Sequence, residues 1–380
     1  MSTKKWKLIG YLLLVCVASC KEAFEPDIPA LKQNFLVVEG TINATGPTQI
    51  KLSRTVPLNE EQKLVPELNA KIWIESDAAA TKIAVNATGA GLYTSNVFPL
   101  NTARNYRLRI NTADGKEYLS KLLPVKSTPE IDSINWTEEK GKVQFYVNTQ
   151  DPQNSTRYYK WDFDETWEIH SAYNARYMFD NGQIREIRST DPQIYFCWVN
   201  GFSKSIIIGS TAKLQSDRIH LQPLNVIERG DERLGVRYSV LVRQYGLDKD
   251  GYSFLEQMKK NTESLGTIFD PQPSALRGNI ECISHPKELV IGYISVSAVR
   301  EKRIFINSSQ LTGRGFSLSS SPGCAPIKVK NDPDSIKLVI PPAWPYDAEQ
   351  MGPSITSYFA ALPQCVDCRL RGTNIKPSFW

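Results

Sequence analysis

In Tyr106-Arg107-Leu108-Arg109-Ile110 the apolar side chains fall on every second residue, with charged ones between them. A segment with that period is read as a β-strand with one face in a core and one in water. A helix repeats every 3.6 residues and would spread the same pattern around its surface. The signature recurs at short intervals. Phe35-Leu36-Val37-Val38-Glu39-Gly40 is a compact apolar run, and Ile50-Lys51-Leu52-Ser53 and Lys71-Ile72-Trp73-Ile74-Glu75 alternate. Asp114-Gly115 predicts a hairpin turn into Lys116 and the residues up to Leu123, because Asp-Gly accepts the positive φ angles of a tight turn. About seven strands in roughly 90 residues, without a helical period, predict an immunoglobulin- or fibronectin-like sandwich over 35–126.

Lys126-Ser127-Thr128-Pro129-Glu130 interrupts the alternation and marks the expected domain boundary. A second sandwich is expected over 127–306. Its strands are signalled by Ile131, Ile134 and Trp136, by Val143, Phe145 and Val147, and by the aromatic-dense stretch from Tyr158 to Ile169. In Val236-Arg237-Tyr238-Ser239-Val240-Leu241-Val242-Arg243 the valines and Tyr238 share one face, and Arg237 and Arg243 the other. One inserted helix is expected near 250–264, capped by Asp248 or Asp250, with Phe254, Leu255, Met258 and Thr262 as its stripe. It is expected to pack on a sheet edge or close one end of the second sandwich. The remaining 307–380 is rich in Pro, Ser and Gly and reads as an irregular tail stapled by cysteines. The fold class is thus mainly β: two tandem sandwiches, one helix and a Cys-containing tail.

The start of the chain has a different character. Three lysines, Lys4, Lys5 and Lys7, precede an apolar run from Leu8 to Val17, followed by Ala18-Ser19-Cys20. That is the layout of an export signal, and a run of roughly ten apolar residues is too short to span a bilayer. Residues 1–19 are read as a lipoprotein signal peptide. Cys20 is then the lipidated residue, carrying diacylglycerol and palmitate-type acyl chains into the membrane. An ordinary secretory signal with an incidental Cys20 is the alternative. The charged, aperiodic residues 20–34 read as a tether. Removing the signal lowers Lys+Arg from 45 to 42 against 40 acids, so the mature chain is nearly neutral. No basic block stands out, and a nucleic-acid partner is not expected.

Of seven cysteines, five lie in the body of the chain: Cys197, Cys282, Cys324, Cys365 and Cys368. In an exported protein most should pair. The preferred disulfide set is Cys197, Cys324, Cys365 and Cys368, with Cys282 as the odd thiol and the connectivity open. Zinc at Cys365-x-x-Cys368 is disfavoured, because His170, His220 and His285 are isolated in sequence and no second ligand pair stands at comparable spacing. A redox role for that pair would need a following helix, which the sequence does not signal.

Ser284-x-x-Lys287 lacks the partner elements of the acyl-enzymes that use it, and Pro286 places it in a loop. Asp162, Asp164, Glu165 and Glu168 among Trp161, Phe163 and Trp167 resemble a glycoside-cleaving cleft in composition. Their alternation, however, is that of a half-buried strand, with Asp162 and Asp164 on the wet face. A calcium site from these acids has no supporting loop spacing. No cofactor, metal or catalytic residue is therefore expected. Trp344, Tyr346, Phe379 and Trp380 are the candidate binding surface, with packing of the tail onto the sandwiches as the preferred alternative.

Several segments together resemble one family. They are the lipid-anchor motif followed by Glu25-Pro26, Leu36-Val37-Val38-Glu39-Gly40, Leu52-Ser53-Arg54-Thr55, Phe269-Asp270-Pro271, Gly278-Asn279-Ile280 and Val290-Ile291-Gly292-Tyr293-Ile294. The final segment, from Cys365-Val366-Asp367-Cys368-Arg369 to Pro377-Ser378-Phe379-Trp380, is the most specific. The set is similar to the domain of unknown function 4249 family of Bacteroidota lipoproteins. That resemblance implies no established activity. It does imply an outer-membrane lipoprotein acting as a non-enzymatic accessory of a TonB-dependent transporter in nutrient uptake. The lysine and acids behind Cys20 also resemble a signal for display at the cell surface. A surface adhesin or coat protein is the alternative expectation, and a divergent carbohydrate-active enzyme using Asp164 or Glu168 the third.

Overall fold

The computed structural model describes residues 34–56, 65–78, 82–263, 276–312 and 323–380. The expected signal peptide over 1–19, Cys20, Glu25-Pro26 and Phe269-Asp270-Pro271 lie outside the described residues. The protein is mainly β, with several sheets and, among the described residues, three helices. None of these helices is long and apolar enough to cross a membrane.

The alternation at 106–110 becomes the strand Asn105–Asn111, with Tyr106, Leu108 and Ile110 buried. It lies in a sheet whose path runs through Glu117–Ser120, Asn105–Asn111, Lys71–Ser76, Lys82–Gly89, Leu92–Ser95, Gln49–Arg54 and Leu36–Asn43. Arg107 and Arg109, on the wet face, both pair with Glu75 across the strand pair. The expected turn is present at Asp114-Gly115, but only Gly115 takes a positive φ, of 83°. A bond from Gly115 N to Thr112 O closes it. This is the longer hairpin loop ending in a left-handed glycine rather than the two-residue form.

Both edges of this sheet are completed by one distant segment, 280–297. Ile280–Cys282 pairs with Glu117–Ser120 at one edge. Val290–Ile291 and Ser295–Ser297 run parallel to Leu36–Asn43 at the other. The one segment 280–297 thus supplies the strands at both ends of the sheet's path. Ile280, Cys282, Val290, Ile294 and Val296 join the core of Leu36, Val38, Ile50, Leu52, Ile72, Leu108 and Tyr118. Residues that in sequence fall in the range expected for the second sandwich thus pack with the first unit. The reason is long-range edge pairing, to which local periodicity is blind.

The glycine-containing segments of the family resemblance, 278–280 and 290–294, meet here. A Cβ on Gly278 would stand 1.5 Å from the carbonyl oxygen of Gly292, and Gly292 has φ +144. Asn279 is buried and acts as a strand neighbour. Its Nδ2 donates to Ile294 O at 2.8 Å, and its Oδ1 accepts from Ile294 N at 2.9 Å. Gly278→Ala is expected to destabilise the fold by about 3 kcal/mol or more, because backbone rather than a side-chain tip must yield. Gly115→Ala, whose Cβ would meet nothing within 4 Å, carries only the left-handed cost of about 1–2 kcal/mol. Equal losses in chemical denaturation of the two variants would contradict this packing.

The second unit does have two facing sheets. Ile131–Glu139, Lys142–Asp151 and Asp217–Glu228 form one. Phe196–Phe202, Tyr158–His170, Arg237–Leu247 and Val299–Asn307 form the other, with Ile207–Ser210 beside Tyr158–His170. Val143, Phe145 and Val147 meet Tyr159, Trp161, Phe163, Tyr238, Val240 and Val242 between them. The helix Lys249–Glu263 is capped by Asp248, whose Oδ1 accepts from Gly251 N at 2.7 Å. It lies against the edge near Ile207–Ser210, where Lys259 Nζ donates to Ile206 O and Ile206 N donates to Glu263.

The segment after Asn307, expected as irregular tail, contains a three-stranded sheet. Ile327–Lys330 and Trp344–Met351 flank Ser354–Ala361. With the helix Pro333–Val339 and the hairpin Tyr177–Asp180/Gln183–Glu186 it encloses a small core of Val329, Ile340, Ala343 and Ala360, with Phe179 and Ile184 packed on it. So small a core, drawn from two distant pieces of chain, leaves a weak sequence pattern.

Candidate functional site

The sequence places Asp162 and Asp164 on the outward face of Tyr158–His170, and that is where they lie. Arg243 stands directly opposite Asp162 on the neighbouring strand, and Glu301 stands opposite Arg243 on the next. The Arg243 guanidinium reaches Asp162 at 3.3 Å, both oxygens of Asp164, and Glu301 at 3.0 Å. Burial works to lower the Arg243 pKa, and the Asp164 carboxylate beside it more than offsets this, raising it above its ordinary value. Lys160 adds a contact to Asp162 at 3.6 Å and lies over the Tyr245 ring. These groups form one wall of a cleft of about 570 Å³. Its other wall is Glu39, Thr41, Asn43, Gln49 and Lys51 of the first unit.

The two aspartates share one guanidinium. They do not face each other across an open slot, as the acid and nucleophile of a glycosidase must. Glu168 is held by His170 Nε2 at 2.7 Å. Glu165 points the other way, into the core, where it accepts from Arg233 at 3.0 Å, Tyr238 at 2.6 Å and Asn225 at 3.1 Å.

A second cleft, of about 690 Å³, is lined by Asn34 and Phe35 at the start of the described residues. Arg54 ends its strand against Glu67 at 2.5 Å and Glu288 at 3.6 Å. Lys116, just past the Asp114-Gly115 turn, reaches Glu288 at 2.8 Å and Asp114 at 3.5 Å. The Tyr118 hydroxyl donates to Glu288 at 2.7 Å. Burial works to raise the Glu288 carboxyl, and the Lys116 ammonium and Tyr118 hydroxyl more than offset it, leaving it below the ordinary carboxylate value. Ser284 of the Ser-x-x-Lys motif sits in an exposed turn and accepts from Glu117 N at 3.1 Å.

Four cysteines form two disulfides, Cys197–Cys368 and Cys324–Cys365, and Cys282 is free and buried. The two sulfurs of Cys365-x-x-Cys368 therefore belong to different bridges. The aromatic residues of the last segment pack inward. Tyr346 stacks on Tyr173 with centroids 3.9 Å apart, and half-buried Trp344 lies against the Cys365 cluster. Trp380 meets Trp198 and Phe305 edge-on, beneath the Arg237 guanidinium. Phe379 lies under Arg303 at 3.5 Å and remains 40% exposed, so of the four it keeps the most surface for a partner.

Arg243, Arg54, Lys116 and Glu288 were not marked as site residues from sequence. Arg243 was legible as a wet-face residue opposite an acidic strand, but its register was not. Glu288 carries no local signal, because all its partners lie far away in sequence. No curated protein matches the chain. The family described as Domain of unknown function (DUF4249) matches residues 21–303, ending ahead of the Cys365–Trp380 segment, and with most of its length so matched the protein belongs to that family.

Proposed function

We propose that this protein is a lipid-anchored cell-envelope lipoprotein that works by binding, as an accessory of a TonB-dependent outer-membrane transporter, rather than by catalysis. The observation that carries the binding role is that the reactive-looking groups already serve the fold. Asp162 and Asp164 are spent on Arg243, Glu168 on His170 and Glu165 on Arg233 and Tyr238. Polar cleft surface and exposed rings, Phe202 and Phe379 among them, are open to a partner. Anchoring through Cys20 suits this role. The 14 residue-to-residue steps from Cys20 to Asn34 reach at most about 50 Å, which keeps the body near the membrane. The transporter as partner rests on the family resemblance.

The test is affinity purification of the native lipoprotein from gently solubilised, cross-linked membranes, beside a soluble version with Cys20 replaced. Recovery of one outer-membrane transporter in near-equal amount, lost in the soluble version, is the expected result. Recovery of the lipoprotein alone would overturn the accessory role.

A further inference from the structure

Cys282, His285 and Glu288 each offer one ligand atom, and these atoms all lie within 4.8 Å of one another. The spacing Cys-x-x-His-x-x-Glu wraps them around the turn that follows Ile280–Cys282, at one end of the first sheet's path. The turn is pinned: Ile283 N donates to Glu117 O at 2.9 Å and Glu288 N to His285 O at 2.9 Å. Cys282 is 2% exposed and, unlike the other four described cysteines, makes no disulfide. We propose that Cys282, His285 and Glu288 form a three-ligand site for a borderline-soft divalent cation, with Zn²⁺ as the reference ion.

Thiolate, imidazole and carboxylate together match zinc better than the hard cations, which prefer all-oxygen sets. Three protein ligands leave a fourth position for water or a partner's ligand. Ser284 Oγ lies 3.4 Å from Cys282 Sγ and 3.2 Å from His285 Nδ1, while accepting from Glu117 N. One proton assignment satisfies all three contacts. Nδ1–H and the amide both donate to Oγ, and the hydroxyl donates to sulfur. That leaves Nε2 as the free nitrogen and supports a thiolate, as the outer-shell groups of metal sites do.

The main competitor is the set of cations on Glu288. Lys116 takes one oxygen, and Tyr118 with Arg54 the other. A carboxylate has about four lone-pair positions, so room remains on each oxygen. Charge also favours occupancy. Glu67, Asp114 and Glu288 outnumber Arg54 and Lys116 in the paired network. A Cys282 thiolate brings the excess to two negative charges, which a divalent ion neutralises. Lys287 is exposed at the rim, where solvent screens it. Ligand atoms around tetrahedral zinc stand about 3.5 Å apart; the exposed His285 can shorten its own two distances, and the half-buried Glu288 carboxylate must turn to shorten the third.

The test uses the full lipoprotein in detergent with its disulfides intact, titrated with Zn²⁺ by equilibrium dialysis and with Co²⁺ by absorption. One Zn²⁺ per chain and a thiolate-to-cobalt charge-transfer band are expected. His285→Ala is expected to weaken Zn²⁺ binding by about tenfold or more, and Cys282→Ser to abolish the band. The His285 variant alters only an exposed side chain, so it decides the matter even if the Cys282 variant misfolds. No saturable binding, unchanged affinity in His285→Ala, or a band persisting in Cys282→Ser would each overturn the site. None of these readings depends on a transporter being recovered.

Discussion

Arg233→Ala is expected to lower the unfolding free energy by about 3–5 kcal/mol, the range for removing one partner of a buried ion pair. Glu165 lies on the inward face of Tyr158–His170, only 6% exposed, beside the core residues Phe145, Tyr238 and Val240. Arg233 bridges it to Asp231, which also caps the short helical turn Glu232–Leu234. Burial, then the Glu165 carboxylate, holds the Tyr238 hydroxyl well above its ordinary pKa. Tyr238 therefore stays a neutral donor and cannot replace the lost charge. With Arg233 gone, a buried carboxylate is left with two neutral hydrogen bonds. Adding Glu165→Leu to Arg233→Ala should recover a large part of the loss, since apolar replacement of a buried pair is often near neutral. Urea denaturation of both variants checks this. A single-variant loss below about 1 kcal/mol, as for an exposed pair, would show that the interaction contributes little.

Replacing both Cys197 and Cys368 by Ser is expected to cost about 5 kcal/mol on the chain-entropy account. The bridge joins residues 171 apart in sequence and is much the longer of the two loops. The same account assigns about 4 kcal/mol to Cys324–Cys365, with a separation of 41. The first bridge also fastens the terminal segment to the strand Phe196–Phe202. There Trp198 and Thr373 exchange backbone hydrogen bonds at 2.8 and 2.9 Å, and Arg371 donates to His170 O. Hydrogen exchange should therefore show protection lost first in 367–380, with the first unit's sheet unchanged. Uniform loss across both units would mean that the bridge stabilises through something other than the terminal segment.

Some of this was readable from residues because it is written locally. Tyr106, Leu108 and Ile110 alternate, and any strand carrying them must bury them on one face. Gly115 could take the left-handed angle of its turn, and Asp248 could cap the helix that follows it. That most of the five cysteines pair and at least one is left over followed from their number and the inferred export; which one stays free did not. The outward face of Asp162 and Asp164 followed from period-two geometry.

Register, edge pairing and convergence were not readable, since each depends on partners far along the chain. Thr41 meets Ser295 across 254 residues, and nothing in either segment names the other. For the same reason the sheet at 327–361 was hidden, its small core being shared with Phe179 and Ile184. Cys282, His285 and Glu288 stood in the sequence as an odd thiol, an isolated histidine and an unremarked acid. The sequence by itself determined the β class and the alternation of faces, because these rest on neighbours a few residues apart. Only the tertiary structure decided which edges pair, which acid meets which arginine, and that Lys116, Tyr118 and Arg54 gather on Glu288 beside Cys282 and His285, because those are contacts made through space.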